Sequence, residues 1–309
     1  MELELKRGGR TARVETLGGE LVSYRDERGL EYIWGGDPAY WPGRNPLLFP
    51  IVGMLKEGKI RFDGREYAME RHGFARRREF TPAARGEDWV RLELRESAET
   101  LALYPYPFRL AVEQRLTDTG FSTAVTVANP GEGPLPFCLG AHTGFRCPLE
   151  AGERFEDYEL VFPERESCPT LLLRDGLLDR PAALPCLEDT DTLPLDYRWF
   201  DALDTLIFEG LRSRSVALRS RKSGRGVRVS FDGFPMLAFW TMPGKKAPYL
   251  CIEPWHGCAA GTAEGPEFTD KAHCIVLAPG ERHLERIPES EDHKWELCPA
   301  FELLKSLLS

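Results

Sequence analysis

Most of the chain alternates between apolar and polar residues with a period of two. The segments VRLELR (90–95), LAVEQRL (110–116), FSTAVTV (121–127) and GVRVSF (226–231) each place apolar side chains on one face and polar side chains on the other. This alternation is typical of antiparallel strands that are buried on one side. The pattern therefore predicts a protein built mainly of half-buried antiparallel strands.

Turn residues separate these strands. Asp63-Gly64 divides the segment IRFDGREYAM (60–69), and Asp-Gly between two strand-like runs predicts a two-residue hairpin. The 29 glycines and 24 prolines fit many short strands joined by tight connections. Because no internal repeat, linker or change of composition divides the chain, we predict one all-β domain over residues 1–309.

Helical spacing of apolar residues is scarce until the C-terminus. There the segment AFELLKSLLS (300–309) places its phenylalanine and leucines on one face of a helix. We predict a helical tail over about 295–309 that packs on the body of the domain. A dimer contact is the alternative, because exposed apolar stripes often mark interfaces. The protein is therefore expected to be a monomer or a homodimer.

Composition and charge exclude several classes of protein. Hydrophobic residues make up 42% and charged residues 29%, as in ordinary globular proteins. The net charge of -9 argues against a nucleic-acid binder and against docking on anionic membranes. No segment is apolar over the roughly 18 residues of a membrane span, and the N-terminus lacks the apolar core of a secretory signal. The eight dispersed cysteines, without a CxxC pair, indicate reduced thiols in a cytoplasmic protein.

The spacing of the metal-ligating residues does not favour a metal site. A zinc site is conceivable from residues in the last quarter of the chain, namely Cys251, His256, Cys258, His273 and Cys274. Their spacing matches none of the usual ligand patterns, however. We therefore predict no metal and no other cofactor.

The segment YLCIEPWHG (249–257) places Glu253 within an apolar run. Glutamate is almost never fully buried unless it is paired. The pattern leaves three interpretations of Glu253: a strand-end residue that reaches solvent, half of a buried ion pair, or a base in a dry pocket.

Three other segments contain candidate functional residues. RHGFARRREF (71–80) contains His72 and four arginines, which fit a solvated face, an anion site, or both. His142 lies between small residues, and a histidine in a pocket exchanges protons near neutral pH, although a structural role is more common. Asp204 precedes a strand-like run, where capping a turn is the ordinary role and binding ligand hydroxyls is the functional one.

Taken together, these segments resemble the aldose 1-epimerase (galactose mutarotase) superfamily, and most closely its bacterial LacX-like branch. The matching segments, in the order of the family, are NPLLFPIVG (45–53), GREYAMERHGFAR (64–76), YPYPFRL (104–110), PFCLGAHTGF (136–145), DTLIF (204–208) and CIEPWHG (251–257). The resemblance implies a large antiparallel β-sandwich (a supersandwich) with few helices and a sugar-binding cleft on one side.

The resemblance also assigns roles to particular residues. It implies that His142 is the general acid, that Glu253 is the general base, and that His72 and Asp204 bind sugar hydroxyls. Arg44 is the candidate for a substrate-contacting arginine. Aromatic side chains are expected as apolar walls of the sugar site, as in most small-molecule pockets; the candidates are Phe74, Phe145 and Trp255. His256 is expected to be structural.

The implied chemistry is the interconversion of the α and β anomers of an aldose, which requires opening and closing the sugar ring. A base takes the proton of the C1 hydroxyl while an acid protonates the ring oxygen O5, so two groups on opposite sides of the ring are expected to suffice. Apolar neighbours such as Ile252 and Trp255 are expected to raise the pKa of Glu253 towards working pH. A nearby carboxylate is expected to keep His142 protonated.

The leading prediction is an aldose 1-epimerase, an isomerase that acts on a free hexose or a related sugar. The enzyme alternative is a hexose-6-phosphate mutarotase, because Arg71, Arg76 or Arg44 can clamp a phosphate with guanidinium groups. Met54 stands where related sequences often have arginine, so one cationic contact is expected to be missing. The non-enzymatic alternative is a sugar-binding protein of the same fold.

Overall fold

The structure, a computed structural model, describes residues 1–293 of the chain. Short strands dominate, and two short helices, α1 (Ala98–Leu101) and α2 (Tyr197–Leu203), interrupt them. The strands are β1 (Glu2–Arg7), β2 (Arg10–Glu15), β3 (Glu20–Arg25), β4 (Leu47–Leu48), β5 (Lys59–Phe62), β6 (Arg65–Ala68), β7 (Thr81–Arg85), β8 (Trp89–Arg95), β9 (Arg109–Leu116), β10 (Gly120–Ala128), β11 (Leu135–Phe137), β12 (Leu139–Ala141), β13 (Thr143–Arg146), β14 (Tyr158–Arg174), β15 (Leu177–Pro194), β16 (Thr205–Glu209), β17 (Ser215–Ser220), β18 (Arg225–Ser230), β19 (Met236–Trp240), β20 (Tyr249–His256), β21 (Ile275–Leu277) and β22 (Arg282–His293).

One large antiparallel sheet contains 15 of the described strands. Its order is β4-β12-β20-β19-β16-β14-β17-β18-β22-β10-β9-β8-β7, with β13 paired to β20 and β15 paired to β14. The sheet β1-β2-β3 packs against β9, and β5-β6 and β11-β21 form two smaller sheets. Strands that are far apart in this order share one apolar core. The predicted antiparallel β-sandwich is therefore confirmed.

The alternating pattern of the sequence reproduces the burial of the strands. In β8, Val90, Leu92 and Leu94 are buried and alternate with partly exposed neighbours, and β8 pairs along its whole length with β9. Asp63 and Gly64 form the predicted two-residue turn between β5 and β6, with φ angles of 50° and 75°. Both features follow from local sequence alone.

Three other expectations concern the chain as a whole. The seven described cysteines are free thiols, as the sequence indicated. Among residues 1–293, no helix is long and apolar enough to cross a membrane. The helical tail predicted over about 295–309 lies outside the described residues, and so does any dimer contact it would make.

Gly73 lies between Arg71 and Arg76, where the backbone packs closely against Phe49. Gly73 has a φ of 69°, and a Cβ atom there would lie 2.2 Å from the carbonyl oxygen of Phe49. That oxygen also accepts hydrogen bonds from the backbone N–H groups of Phe74 and Ala75. Gly64 has a similar φ of 75° but open space around its Cβ position. The two glycines share the same left-handed backbone and differ in the space beside it.

We expect Gly73→Ala to destabilise the protein much more than Gly64→Ala. Left-handed backbone costs an alanine about 1–2 kcal/mol at either position, whereas only Gly73→Ala also displaces the Phe49 carbonyl. The measurement is the free energy of unfolding in urea for the two variants. Equal losses at the two positions would show that the Phe49 contact is not tight.

Candidate active site

Five of the residues singled out from the sequence line one cavity of about 290 Å³: His72, His142, Asp204, Glu253 and Trp255. This volume is close to the lower end of the roughly 300–1,000 Å³ typical of small-molecule pockets. Arg71, Arg76 and Met54 line the same cavity. The fold therefore gathers residues from distant parts of the chain around a space of suitable size.

Strand β20 carries the buried carboxylate of the cavity. Glu253 is 1% exposed, and Trp255, two residues further on, lies on the same face of the strand. Alternate residues of β20 thus point into the cavity. The interpretation of Glu253 as a strand-end residue that reaches solvent is wrong.

The pairing of β20 places His142 directly opposite Glu253. On one side of this position Gly140 pairs with Trp255, and on the other side Thr143 pairs with Ile252. Since the register is the same in β12 and β13, His142 lies between the two ladders and faces Glu253. The Nε2 atom of His142 lies 3.3 Å from Oε1 of Glu253. We expected these groups on opposite sides of a sugar ring, whereas the structure places them side by side.

Burial decides the protonation of this pair. It raises the pKa of the Glu253 carboxyl well above its usual value; the indole of Trp255 opposes the rise, and the charge of Asp204 adds to it. Burial also lowers the pKa of His142 to about 3, with a smaller contribution from the charges of Arg76 and Arg71. Both shifts favour a neutral imidazole beside a protonated carboxyl. The expectation that a nearby carboxylate keeps His142 protonated is therefore wrong.

His72 is held by a reciprocal pair of hydrogen bonds with Gly53. The backbone N–H of His72 donates to the carbonyl oxygen of Gly53 over 3.0 Å, and the N–H of Gly53 donates to Nδ1 of His72 over 3.1 Å. Because Nδ1 is an acceptor, the neutral ring carries its proton on Nε2. Burial lowers the pKa of His72 well below its usual value, so the ring is neutral. The side chain thus offers the cavity a fixed N–H donor.

Asp204 combines a helix-end role with a place in the cavity. It follows α2 with a φ of 64°, and its N–H donates to the carbonyl oxygen of Phe200 over 2.8 Å. Its Oδ2 accepts a hydrogen bond of 2.8 Å from the hydroxyl of Thr205. With a ψ of -60°, this is a sparsely populated backbone conformation that the surrounding structure must hold in place. The structural and functional interpretations of Asp204 are therefore compatible, and an exposed carboxylate is left at the cavity.

The four arginines of residues 71–78 divide into two groups. Arg77 and Arg78 form ion pairs with Glu70 and Glu99 and do not line the cavity. Arg71 and Arg76 line the cavity, and among residues 1–293 neither forms an ion pair with a carboxylate.

These two cavity arginines contact neutral groups instead. Arg76 donates to the carbonyl oxygen of Arg71 over 2.8 Å, and its buried Nε has no partner within the described chain. An Nη atom of Arg71 lies 2.6 Å from Sδ of Met54. Because position 54 is methionine and not arginine, one cationic side chain was expected to be missing from the site. The guanidinium group of Arg71 lies beside Met54 instead.

Aromatic residues that sequence reasoning missed form one wall of the cavity. Trp41 stacks on the His142 ring with 4.8 Å between centroids, and Trp240 meets Trp41 edge-on at 5.5 Å. Met242 lines the same wall. The signal available in the sequence was proximity: Trp41 lies three residues before Arg44, which directly precedes the matched segment 45–53. Its stacking on His142, 101 positions later between β12 and β13, has no local sequence pattern.

Three residues that were expected in the site lie outside the cavity. Arg44 donates from Nε to the carbonyl oxygen of Gly35 over 3.2 Å and lies 3.8 Å from Glu15. Phe74 packs in the core against other phenylalanines. Phe145 pairs with Leu250 in β20 and therefore lies on the face opposite to Glu253. The structure therefore does not place these three residues at the cavity.

Two groups of residues in the described chain have ligand atoms close enough to hold a metal ion. One group is His142, Cys251 and Glu253, but burial raises the pKa of the Cys251 thiol well above its usual value. A protonated thiol is a poor ligand. The other group is His256, His283 and Glu285, which lies outside the cavity. The five cysteines and histidines considered from the sequence do not form such a group among residues 1–293.

Comparisons with known proteins agree with the resemblance. The family model described as aldose 1-epimerase matches residues 1–288. The plasmid form of protein LacX from Lactococcus lactis subsp. lactis is 41% identical over 287 residues, which cover 90% of this chain and 95% of that protein. The structure of a galactose mutarotase related enzyme from Lactobacillus acidophilus superposes with a TM-score of 0.90 at 26% identity and covers 96% of this chain and 99% of its own. A galactose mutarotase-like protein from Lactobacillus casei gives a TM-score of 0.88 at 26% identity and covers 94% and 100%.

The raised pKa of Glu253 predicts a pH-dependent stability. Below the usual carboxyl pKa, Glu253 is protonated in both the folded and the unfolded protein. As the pH rises, the unfolded state loses this proton first, so the folded state loses stability until the pH passes the raised folded pKa. Glutamine at this position has no such proton. We expect Glu253→Gln to gain thermal stability relative to the parent protein as the pH rises from 4 to 8.

The measurement is the difference in melting temperature between the two proteins across this pH range. Each unit of pKa difference corresponds to about 1.4 kcal/mol, so the gap is expected to grow by several degrees. Glu132→Gln, at an exposed carboxylate, is the matched control and should show no such trend. A constant gap between Glu253→Gln and the parent would contradict the raised pKa.

Proposed function

The chain belongs to the aldose 1-epimerase family, and we propose that it is an isomerase that interconverts the α and β anomers of an aldose. The observation that carries this proposal is the contact of 3.3 Å between the buried His142 and Glu253. The cytoplasmic location and the monomeric or homodimeric state stay predictions from the sequence.

The proposed reaction moves two protons, one on each of the two oxygen atoms bonded to C1. A base removes the proton from the C1 hydroxyl, the C1–O1 bond becomes a carbonyl, the C1–O5 bond breaks, and O5 takes a proton from an acid. Rotation about C1–C2 and the reverse proton transfers then give the other anomer. Since O1 and O5 are both attached to C1, neighbouring side chains can act as the acid and the base. The side-by-side arrangement of His142 and Glu253 is therefore compatible with the reaction.

The protonation of the pair is compatible with this chemistry. A neutral imidazole with a protonated carboxyl contains as many protons as an imidazolium with a carboxylate. Transfer of one proton from Glu253 to His142 produces the reactive form in which Glu253 is the base and His142 the acid. General acid–base assistance is typically worth about 10²–10⁴-fold per group.

Other groups of the cavity are suited to hold the sugar. The Nε2–H of His72 is a donor, and the carboxylate of Asp204 is an acceptor for ring hydroxyls. The aromatic faces of Trp41, Trp240 and Trp255 offer the apolar surface that lines most small-molecule sites. These groups surround the catalytic pair, so a bound ring lies within reach of both.

We expect His142→Gln and Glu253→Gln each to lower the rate of anomer exchange by about 100-fold or more, because each removes one proton-transferring group. The measurement is polarimetry or NMR on freshly dissolved α-glucose, α-galactose and α-glucose 6-phosphate. His273→Gln is the matched control, because His273 pairs with Glu209 outside the cavity.

The outcomes separate the candidate functions. If no sugar equilibrates faster with the protein than in buffer, the epimerase proposal fails. Binding of a sugar without faster exchange would favour the non-enzymatic sugar-binding protein. Unchanged rates in both variants would assign the chemistry to other residues.

A phosphorylated hexose is the second candidate substrate, and the cavity arginines favour it. Arg71 and Arg76 line the cavity without a carboxylate partner among the described residues, while the neighbouring Arg77 and Arg78 each have one. An uncompensated charge is costly where it is buried, as Arg76 partly is, whereas Arg71 is exposed. Burial lowers the pKa of Arg76, which reflects this cost. A phosphate would supply the missing countercharge, and guanidinium groups bind phosphate well.

We expect Arg71→Gln and Arg76→Gln to lower kcat/KM for glucose 6-phosphate by about 10–100-fold each, since a hydrogen bond to a charged group is worth about 1.5–3 kcal/mol. The same variants should change kcat/KM for glucose by much less. Arg77→Gln, which removes an arginine outside the cavity, is the matched control. A loss of equal size on both sugars would exclude a phosphate-binding role and leave the free hexose as the substrate.

A further inference from the structure

A second cluster of chemically active side chains lies outside the cavity. His256 ends β20, while His283 and Glu285 lie two residues apart on β22. Nε2 of His256 is 3.0 Å from Oε1 of Glu285, and Nε2 of His283 is 2.8 Å from the same oxygen. One ligand atom from each of the three residues lies within 4.8 Å of the others. Three ligand atoms thus converge on one point.

We propose that His256, His283 and Glu285 bind a divalent transition-metal ion, and that zinc fits this set of ligands best. Two imidazole nitrogens and one carboxylate oxygen are an established zinc-binding set, in which the fourth position is open to water. Imidazole suits zinc and its neighbours in the periodic table, whereas calcium and magnesium prefer sites made only of oxygen atoms. The site is distinct from the proposed catalytic pair and does not depend on it.

The distances between the ligand atoms are close to those of a zinc site. With bonds of about 2.0–2.2 Å and tetrahedral angles, neighbouring ligand atoms lie about 3.3–3.5 Å apart. The observed 2.8 and 3.0 Å need to open by only about 0.5 Å. Nε2 of His283 is also buried without a hydrogen bond of good geometry among residues 1–293, although a carboxylate oxygen is near. This nitrogen is therefore available to a metal ion.

The surroundings orient the ligands and leave a path for the ion. The ring of Phe234 lies 5.1 Å from that of His256, and the ring of Phe137 lies 5.9 Å from that of His283. Packing of this kind fixes the orientation of a ligand, as supporting contacts do around metal centres. The three ligand side chains are 14%, 23% and 10% exposed, so the cluster is reachable from solvent.

The position of the cluster predicts what the ion does. In the order of the main sheet, β19, β16, β14, β17 and β18 lie between β20 and β22. A bound ion would therefore join two strands that no ladder connects, one of which carries Glu253. A ligand that binds only the folded state stabilises it in proportion to the logarithm of its concentration above Kd. We infer that the ion ties β20 to β22.

The test is titration of the full-length, chelator-treated protein with Zn²⁺ by calorimetry and with Co²⁺ by absorption spectroscopy. We expect one Zn²⁺ per chain, a Co²⁺ spectrum without a thiolate charge-transfer band, and a higher melting temperature with Zn²⁺. His283→Gln and His256→Gln should each weaken Zn²⁺ binding by more than the 10–100-fold typical of a lost supporting contact. His273→Gln, whose histidine also pairs with a glutamate, should bind Zn²⁺ like the parent.

A second variant separates this cluster from the catalytic cavity. His142→Gln disrupts the group of His142, Cys251 and Glu253 but leaves the proposed ligands intact. Unchanged Zn²⁺ affinity in His142→Gln supports the proposal, and lost affinity there overturns it. Absence of Zn²⁺ and Co²⁺ binding to the parent protein would also overturn it, whatever the variants do. In that case the three side chains form only an ion-pair cluster.

Discussion

The site depends on the register of β20 between its two neighbours. A charged glutamate is rarely buried, and the fold buries Glu253 directly opposite His142 across the ladder, where desolvation keeps its carboxyl protonated. A shift of one residue would send Glu253 and Trp255 to the other face of the sheet and the apolar Ile252 to the cavity. The short ladders β12 and β13 and the full ladder with β19 fix that register from both sides. The chemistry is therefore a consequence of strand pairing.

Turns supply the groups that surround this pair. His72 and Asp204 both have left-handed backbone, with φ angles of 66° and 64°, and each is fixed by hydrogen bonds of its own backbone. Rigid strands thus hold the groups that move protons, and strained turn positions aim the groups suited to bind hydroxyls. Arg71 and Arg76 come from the segment that follows one of these turns. Burial lowers the pKa values of His72 and His142, and the charges of these two arginines lower them further.

The sequence predicted what depends on local pattern and missed what depends on long-range geometry. The period of two and Asp63-Gly64 predicted strands and a hairpin that the structure contains. Phe145 was misplaced because its face depends on pairing with β20, and sequence adjacency does not reveal that pairing. Trp41 was missed because its stacking partner is far along the chain. The expected protonation of His142 differs because desolvation favours the neutral imidazole and also keeps the Glu253 carboxyl protonated, which only the burial of both groups reveals.

The cluster at His256 extends the same reasoning to the other face of β20. His256 was expected to be structural because its neighbours in sequence carried the resemblance and it had no partner at a metal-ligand spacing. Its partners lie 27 and 29 positions later, on a strand that the sheet order places far away. Alternation along β20 sends Glu253 and Trp255 to the cavity and His256 to the opposite face. A single strand thus connects the proposed catalytic carboxylate with the proposed metal ligands, so a restraint on His256 also acts on the end of the strand that fixes Trp255 in the cavity wall.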